Sequence, residues 1–104
     1  MNIVHRPQFL FDLAEELNWL NERAGAEVAN RWYDSVCSTI EQLQKHPYLG
    51  RQRNDLMPEG IRSWRVEGFA RWLLFYGVGS EDLVFLRVRQ ASMNLVVLDL
   101  GDKT

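Results

Sequence analysis

The sequence has a single cysteine, Cys37, in 104 residues. An internal disulfide is excluded, and so is a zinc site built on cysteines. A reducing, cytoplasmic location is the expectation that follows. Histidine is limited to His5 and His46. No His, Cys and carboxylate group has metal-ligand spacing, so neither a metal nor a cofactor is expected. No glycine-rich loop of the Walker or Rossmann type occurs. No apolar run approaches the roughly 18 residues of a membrane-spanning helix. The first residues carry no signal-peptide core, so none is expected. The net charge is −2 and the pI about 5.6, so the chain lacks the basic footprint of a general nucleic-acid binder.

What is present suits one globular domain over 1–104, with 46% hydrophobic and 25% charged residues. Lysine is almost absent, with only Lys45 and Lys103, so the positive charge is nearly all arginine. Seven arginines fall between Arg51 and Arg89. Arginine presents a planar fork of donors suited to phosphate or carboxylate. The plainer reading is that the stems cover apolar surface and the heads pair with nearby acids.

Residues 2–5 read as an edge strand. Pro7 then sits where a first helical residue tolerates it. Leu10, Leu13, Ala14, Leu17 and Leu20 follow at helical spacing, and Gly25 is a stop. Ala29, Trp32, Tyr33, Val36, Ile40 and Leu43 form a second helical stripe. It closes with Lys45, His46 and Pro47, where positive charge suits the helix end. Together these make a helical hairpin. Residues 47–60 read as a loop. The period then changes to two, giving strands over 61–67, 70–78 and 83–90 joined by short antiparallel turns. The run 95–100 reads as either strand or short helix.

Alternation assigns faces to these strands. On the third, Val84, Leu86 and Val88 share one face, expected to meet the helices. Phe85, Arg87 and Arg89 share the other. On the second, Trp72, Leu74, Tyr76 and Val78 alternate with Arg71, Leu73 and Phe75. The arginine-bearing face is the candidate functional surface. Trp64 and Phe69 lie beside the first hairpin turn, where an exposed tryptophan would serve as an interface anchor. Cys37 reads as packing and not as a nucleophile. The acid pairs Glu15-Glu16 and Glu81-Asp82 read as solvated surface.

The order of motifs resembles the RelE/ParE superfamily of bacterial type II toxins. The stretches are Pro47-Tyr48-Leu49-Gly50-Arg51, Gly60-Ile61-Arg62-Ser63, Arg71 to Tyr76 and Val84 to Val88. Pro7-Gln8-Phe9 and Asp12-Leu13 fit the start of the family's first helix. The resemblance implies an α+β fold, with an N-terminal helical hairpin packed on one face of a twisted, mainly antiparallel sheet. It implies the toxin of a toxin–antitoxin (plasmid stabilisation) pair, neutralised by a cognate antitoxin. Two activities occur in the superfamily: ribosome-dependent mRNA cleavage of the RelE type, and inhibition of DNA gyrase of the ParE type. Arg62 and Arg87 match arginines that the nucleases keep, and with Arg89 they are the catalytic candidates if the chain is a nuclease. The chain departs from the family's His near Gln90 and Arg near Met93. RNA cleavage needs an acid and a base beside the cations, so the ParE-like reading is favoured. The alternatives are an mRNA interferase and a toxin-fold protein-binding module that has lost activity. Arg62, Arg71, Phe85, Arg87 and Arg89, with the C-terminal segment, are expected to engage the target. Leu10, Leu17, Trp64 and Trp72 are expected to meet the antitoxin. Homodimerisation through exposed apolar surface is expected when the antitoxin is absent.

Overall fold

A computed structural model gives the tertiary structure, and it describes residues 1–56 and 58–91. The 95–100 run, and with it the C-terminal part of the expected target surface, lies outside the described residues. The elements in chain order are β1 (Asn2–His5), α1 (Pro7–Ala24), α2 (Ala26–Lys45), β2 (Arg51–Gln52), β3 (Arg62–Val66), β4 (Phe69–Val78) and β5 (Asp82–Gln90). The strands form one sheet in the order β1-β5-β4-β3-β2. β1 runs parallel to β5, and the other pairs are antiparallel. The α+β architecture expected from the sequence is the one found. The reading of 47–60 as a plain loop misses β2, which pairs with β3 through only two residues.

Local chemistry accounts for the helical hairpin. Pro7 stands in the first turn of α1, where its missing N–H costs nothing. The Arg6 carbonyl accepts the amides of Phe9 and Leu10 at 3.0 and 3.2 Å. Between the helices, Gly25 has φ +92°, a conformation that side chains resist. Thr39 of α2 donates to the Ser35 carbonyl at 2.7 Å and accepts the Glu67 amide at 3.0 Å. That single hydroxyl ties α2 to the β3–β4 turn.

The main core lies between the helices and the sheet. Phe9, Leu20, Trp32, Val36 and Leu43 meet Val66, Trp72, Leu74, Tyr76, Leu83, Phe85 and Val88. Phe9, Phe85 and Tyr76 are linked by ring contacts with centroids 5.7 Å apart. A smaller cluster covers the opposite face. There Leu56 and Ile61, from the loop after β2, pack with Phe75, Val84 and Leu86. The β2–β3 connection is thus part of a core on the second face, the one expected from the sequence to be the functional surface.

The structure departs from two expectations. First, the faces of β5 are not constant along the strand. Tyr76 pairs with Phe85, but the preceding Phe75 pairs with Arg87, so Leu86 is an inserted residue. A bulge of this kind breaks the alternation of two. Leu83, Phe85 and Val88 therefore face the helices, while Val84 and Leu86 join the second cluster. Phe85, expected on the open face, is fully buried.

Second, the buried positions of α1 are Phe9, Asp12, Glu16 and Leu20. Leu13 and Leu17 are half-buried beside them, and Leu10 is 51% exposed. Two of the four deepest positions of the helix are carboxylates. Glu16, read as solvated surface, is buried.

Candidate functional site

Three constellations stand out. The first lies along β5 beyond the end of β1. β1 pairs with β5 only as far as His5 opposite Phe85, and the Arg6 amide donates to the Phe85 carbonyl. Beyond that point Asp12 of α1 takes over. It accepts the Val88 amide at 3.2 Å, Arg87 Nε at 2.6 Å and Arg87 Nη2 at 2.9 Å. Arg89 Nη1 lies 3.4 Å from Asp12 Oδ1 and 3.6 Å from Glu15 Oε1. The carboxylate thus completes the sheet edge and holds two arginines. Asp12 is fully buried, so leaving it unpaired would be costly. One helical turn on, Glu16 Oε1 accepts Trp72 Nε1 at 2.6 Å and Gln90 Nε2 at 3.2 Å. Both carboxylates join α1 to strands that lie far along the chain.

The second constellation is the loop between α2 and β2. The Tyr76 hydroxyl, fully buried, accepts the Gly50 amide at 2.9 Å and donates to the Pro47 carbonyl at 2.8 Å. Burial pushes the Tyr76 phenol above its ordinary 10.0, offset in part by the Gly50 hydrogen bond and Arg62. Arg62 Nη1 donates to the Gly50 carbonyl at 2.7 Å and reaches the Tyr48 carbonyl at 3.4 Å. Its guanidinium lies 5.0 Å from the Tyr48 ring centroid, within cation–π range. Gly50 is glycine for lack of space, because a Cβ there would overlap the Tyr76 hydroxyl. Further on, Arg53 forms a two-bond pair with Asp55 at 3.0 and 2.7 Å and donates to Ser63 Oγ at 3.2 Å. The Arg53 guanidinium holds the Asp55 carboxyl at about 2, well below its ordinary 3.8.

The third is an apolar groove of about 370 Å³ between β1, α1 and α2. Leu10, Leu13, Tyr33, Val36 and Ile40 line it, together with His5 and Cys37. Leu10 and Tyr33 are 51% and 42% exposed.

The structure brings only some of the expected site residues together. Arg87 and Arg89 meet on Asp12. Arg62 does not join them. Register places Arg62 opposite Tyr76, which faces the helices, whereas Arg87 is opposite Phe75 on the other face. Arg71 is exposed. Phe85 lies inside the core and offers no surface to a target. Of the four residues expected to meet an antitoxin, Leu10 is exposed, and Leu17 and Trp64 are half-buried. Trp72 is 5% exposed, ringed by Trp19, Trp32 and Phe69, so it is a core residue and not a docking one. The sequence reading missed Asp12, Glu16 and the Tyr76 clamp. Asp12 and Glu16 do fall at the spacing of the buried stripe, a signal visible only once carboxylates are admitted to it. Among the described residues no group of His, Cys, Asp and Glu is placed to hold a metal. No helix among them is long and apolar enough to cross a membrane.

Comparison with known proteins agrees with this architecture. The family model described as the ParE toxin of the type II toxin–antitoxin system parDE matches residues 3–95. Toxin ParE3 of Caulobacter vibrioides is 37% identical over 83 residues, covering 80% of this chain and 78% of that protein. Toxin RelE3 of the same organism is 33% identical over 85 residues, covering 82% and 88%. A solved chain of the chromosomal ParDE system from P. aeruginosa superposes with a TM-score of 0.73. It is 18% identical and covers 86% of this chain and 95% of its own, a likeness of fold. The helical hairpin on its mixed sheet thus belongs to the RelE/ParE superfamily, and the chain is a member of the ParE family of type II toxins.

Proposed function

We propose that this ParE-family toxin acts by inhibiting DNA gyrase in the cytoplasm and is neutralised by a cognate antitoxin. The observation that carries the reading is the engagement of Arg87 and Arg89 by Asp12 and Glu15. Cleavage of RNA asks for cations presented to a phosphate beside a proton donor and a proton acceptor. Here the two arginines are turned to carboxylates, and Arg62 sits on the other side of the sheet bound to loop carbonyls. That favours a toxin that works by binding over one that cuts. The identity to Toxin ParE3, somewhat above that to Toxin RelE3, points the same way.

The antitoxin is assigned to the groove between β1, α1 and α2, where Leu10 is exposed; half-buried Leu17 lies further along α1 and does not line it. An apolar strip of this size fits one face of an amphipathic segment that orders on binding. The target surface is assigned to exposed Arg71 and to the rim around Arg89.

The test is a supercoiling assay with purified chain and gyrase, together with induced expression of the chain alone in bacteria. Inhibited supercoiling, filamentation and an SOS response are expected. Rapid translation arrest with codon-positioned mRNA cuts would establish the nuclease reading instead. Unaffected growth and unaffected supercoiling would leave a toxin-fold binding module.

A further inference from the structure

We propose that the loop between α2 and β2 is a second docking surface, suited to an acidic segment of a protein partner that carries an apolar side chain among its carboxylates. This goes beyond the proposed function and does not depend on it. The residues concerned follow the groove's last lining residue, Gln44, and none of them lines the groove.

Three observations carry the proposal. The first is display. Tyr48 is 69% exposed and Leu49 37% exposed, side by side at the tip of the loop.

The second is rigidity. The backbone beneath these side chains is held by the Tyr76 hydroxyl at Pro47 and Gly50 and by Arg62 at Gly50. Leu49 also closes a turn onto the His46 carbonyl at 3.1 Å. A buried tyrosine spends both its hydrogen bonds on fixing a loop whose own tyrosine faces outward. Side chains presented from a fixed backbone lose little freedom on binding. Tyr48 with the Arg62 guanidinium against it pairs two residue types that dominate binding hot spots.

The third is charge. Residues 42–54 contain Lys45, Arg51 and Arg53 and no acid. The first acid beyond them, Asp55, is gripped by Arg53 through two bonds. Exposed Lys45 and Arg51 flank Tyr48 and Leu49 along the chain, and half-buried Arg62 lies against Tyr48, while the exposed acids Glu41 and Glu59 lie at the margins, Glu59 beside Gln52. Complementarity calls for carboxylates around an apolar group. Nucleic acid is the weaker fit, because the chain carries −2 overall and tracking a phosphate backbone needs an extended basic strip.

The experiment uses the full chain and a fluorescein-labelled peptide, Glu-Asp-Phe-Glu-Leu-Asp-Glu, read by fluorescence anisotropy at low salt. The control peptide, Glu-Asp-Gly-Glu-Ser-Asp-Glu, has the same charge and no apolar side chain. Saturable binding of the first is expected, at least about five-fold tighter than the control and weakened by added salt. Tyr48→Ala and Arg51→Glu should each weaken it by about ten-fold while the far-ultraviolet circular dichroism stays unchanged. Leu10→Asp, in the groove, should leave it unaltered. Three results would overturn the proposal: no saturable binding, equal binding of the two peptides, or undiminished binding by Tyr48→Ala and Arg51→Glu. Preferential binding of an oligo-dT strand would replace the acidic peptide with nucleic acid.

Discussion

Arg87 and Asp12 form a two-bond ion pair, Nε to Oδ2 at 2.6 Å and Nη2 to Oδ1 at 2.9 Å, between residues 75 positions apart in the chain. Asp12 also takes the Val88 amide, so one carboxylate replaces the strand that β1 is too short to supply. Removing it should take a two-bond carboxylate from a buried guanidinium and an acceptor from a backbone amide together. Asp12→Ala is expected to cost about 3–5 kcal/mol of folding free energy, read by urea titration. Arg89→Ala, at the longer 3.4 Å contact, should cost clearly less. Equal losses would mean that the pair does not carry the helix–strand junction.

The Tyr76 clamp makes a second, coupled prediction. Gly50→Ala forces a methyl group into the Tyr76 ring and should cost about 1–3 kcal/mol. Tyr76→Phe removes the hydroxyl that serves Pro47 and Gly50, with a similar loss of about 1–3 kcal/mol. Because both act on one contact, the double variant should lose less than the sum. Strict additivity in urea melts would show the two sites to be independent.

Stability should fall at both ends of the pH range for separate reasons. The Asp55 carboxyl is lowered from 3.8 to about 2, so its contribution is complete above 3.8 and is lost as pH falls through about 2. Asp55→Asn should flatten that acid limb. The effect is small because the Asp55 side chain is 61% exposed. The Tyr76 phenol is raised above 10.0 by burial, so its neutral form favours the fold. Its contribution is complete below 10.0 and is lost as pH rises through the higher folded value. Tyr76→Phe should remove that alkaline limb. Melting temperatures from pH 2 to 11 check both signs.

A substitution at Leu10 tests binding apart from folding. It is 51% exposed, so Leu10→Asp should barely change the melting temperature. Affinity for the cognate antitoxin should fall by about ten-fold or more if the groove receives it. Trp72→Ala should do the reverse, costing about 3–5 kcal/mol of stability by emptying the core. An antitoxin bound equally well by Leu10→Asp would have to dock elsewhere.

The sequence alone determined the two helices, the strand at 2–5 and the three strands after Gly60, in their order, but not β2. Pro7, Gly25 and Pro47 punctuate two helices, and the change of period after Gly60 marks three strands, because helical and extended backbones repeat locally. The motif order carried the family as well, since it is written along the chain. Tertiary structure decided which side chains face what. Leu86, inserted opposite the Phe75–Tyr76 step, turns Phe85 inward and sends Arg87 to the other face, so two residues of equal parity end on opposite sides. Glu16 read as surface, and Asp12 went unmarked as a buried group, because their partners, Trp72 and Arg87, lie 56 and 75 residues away. A buried carboxylate needs donors around it, and here they come from distant strands. Periodicity within one segment holds no record of that meeting, so the junction of α1 with β5 and the clamp of Tyr76 on Gly50 appear only in the folded chain.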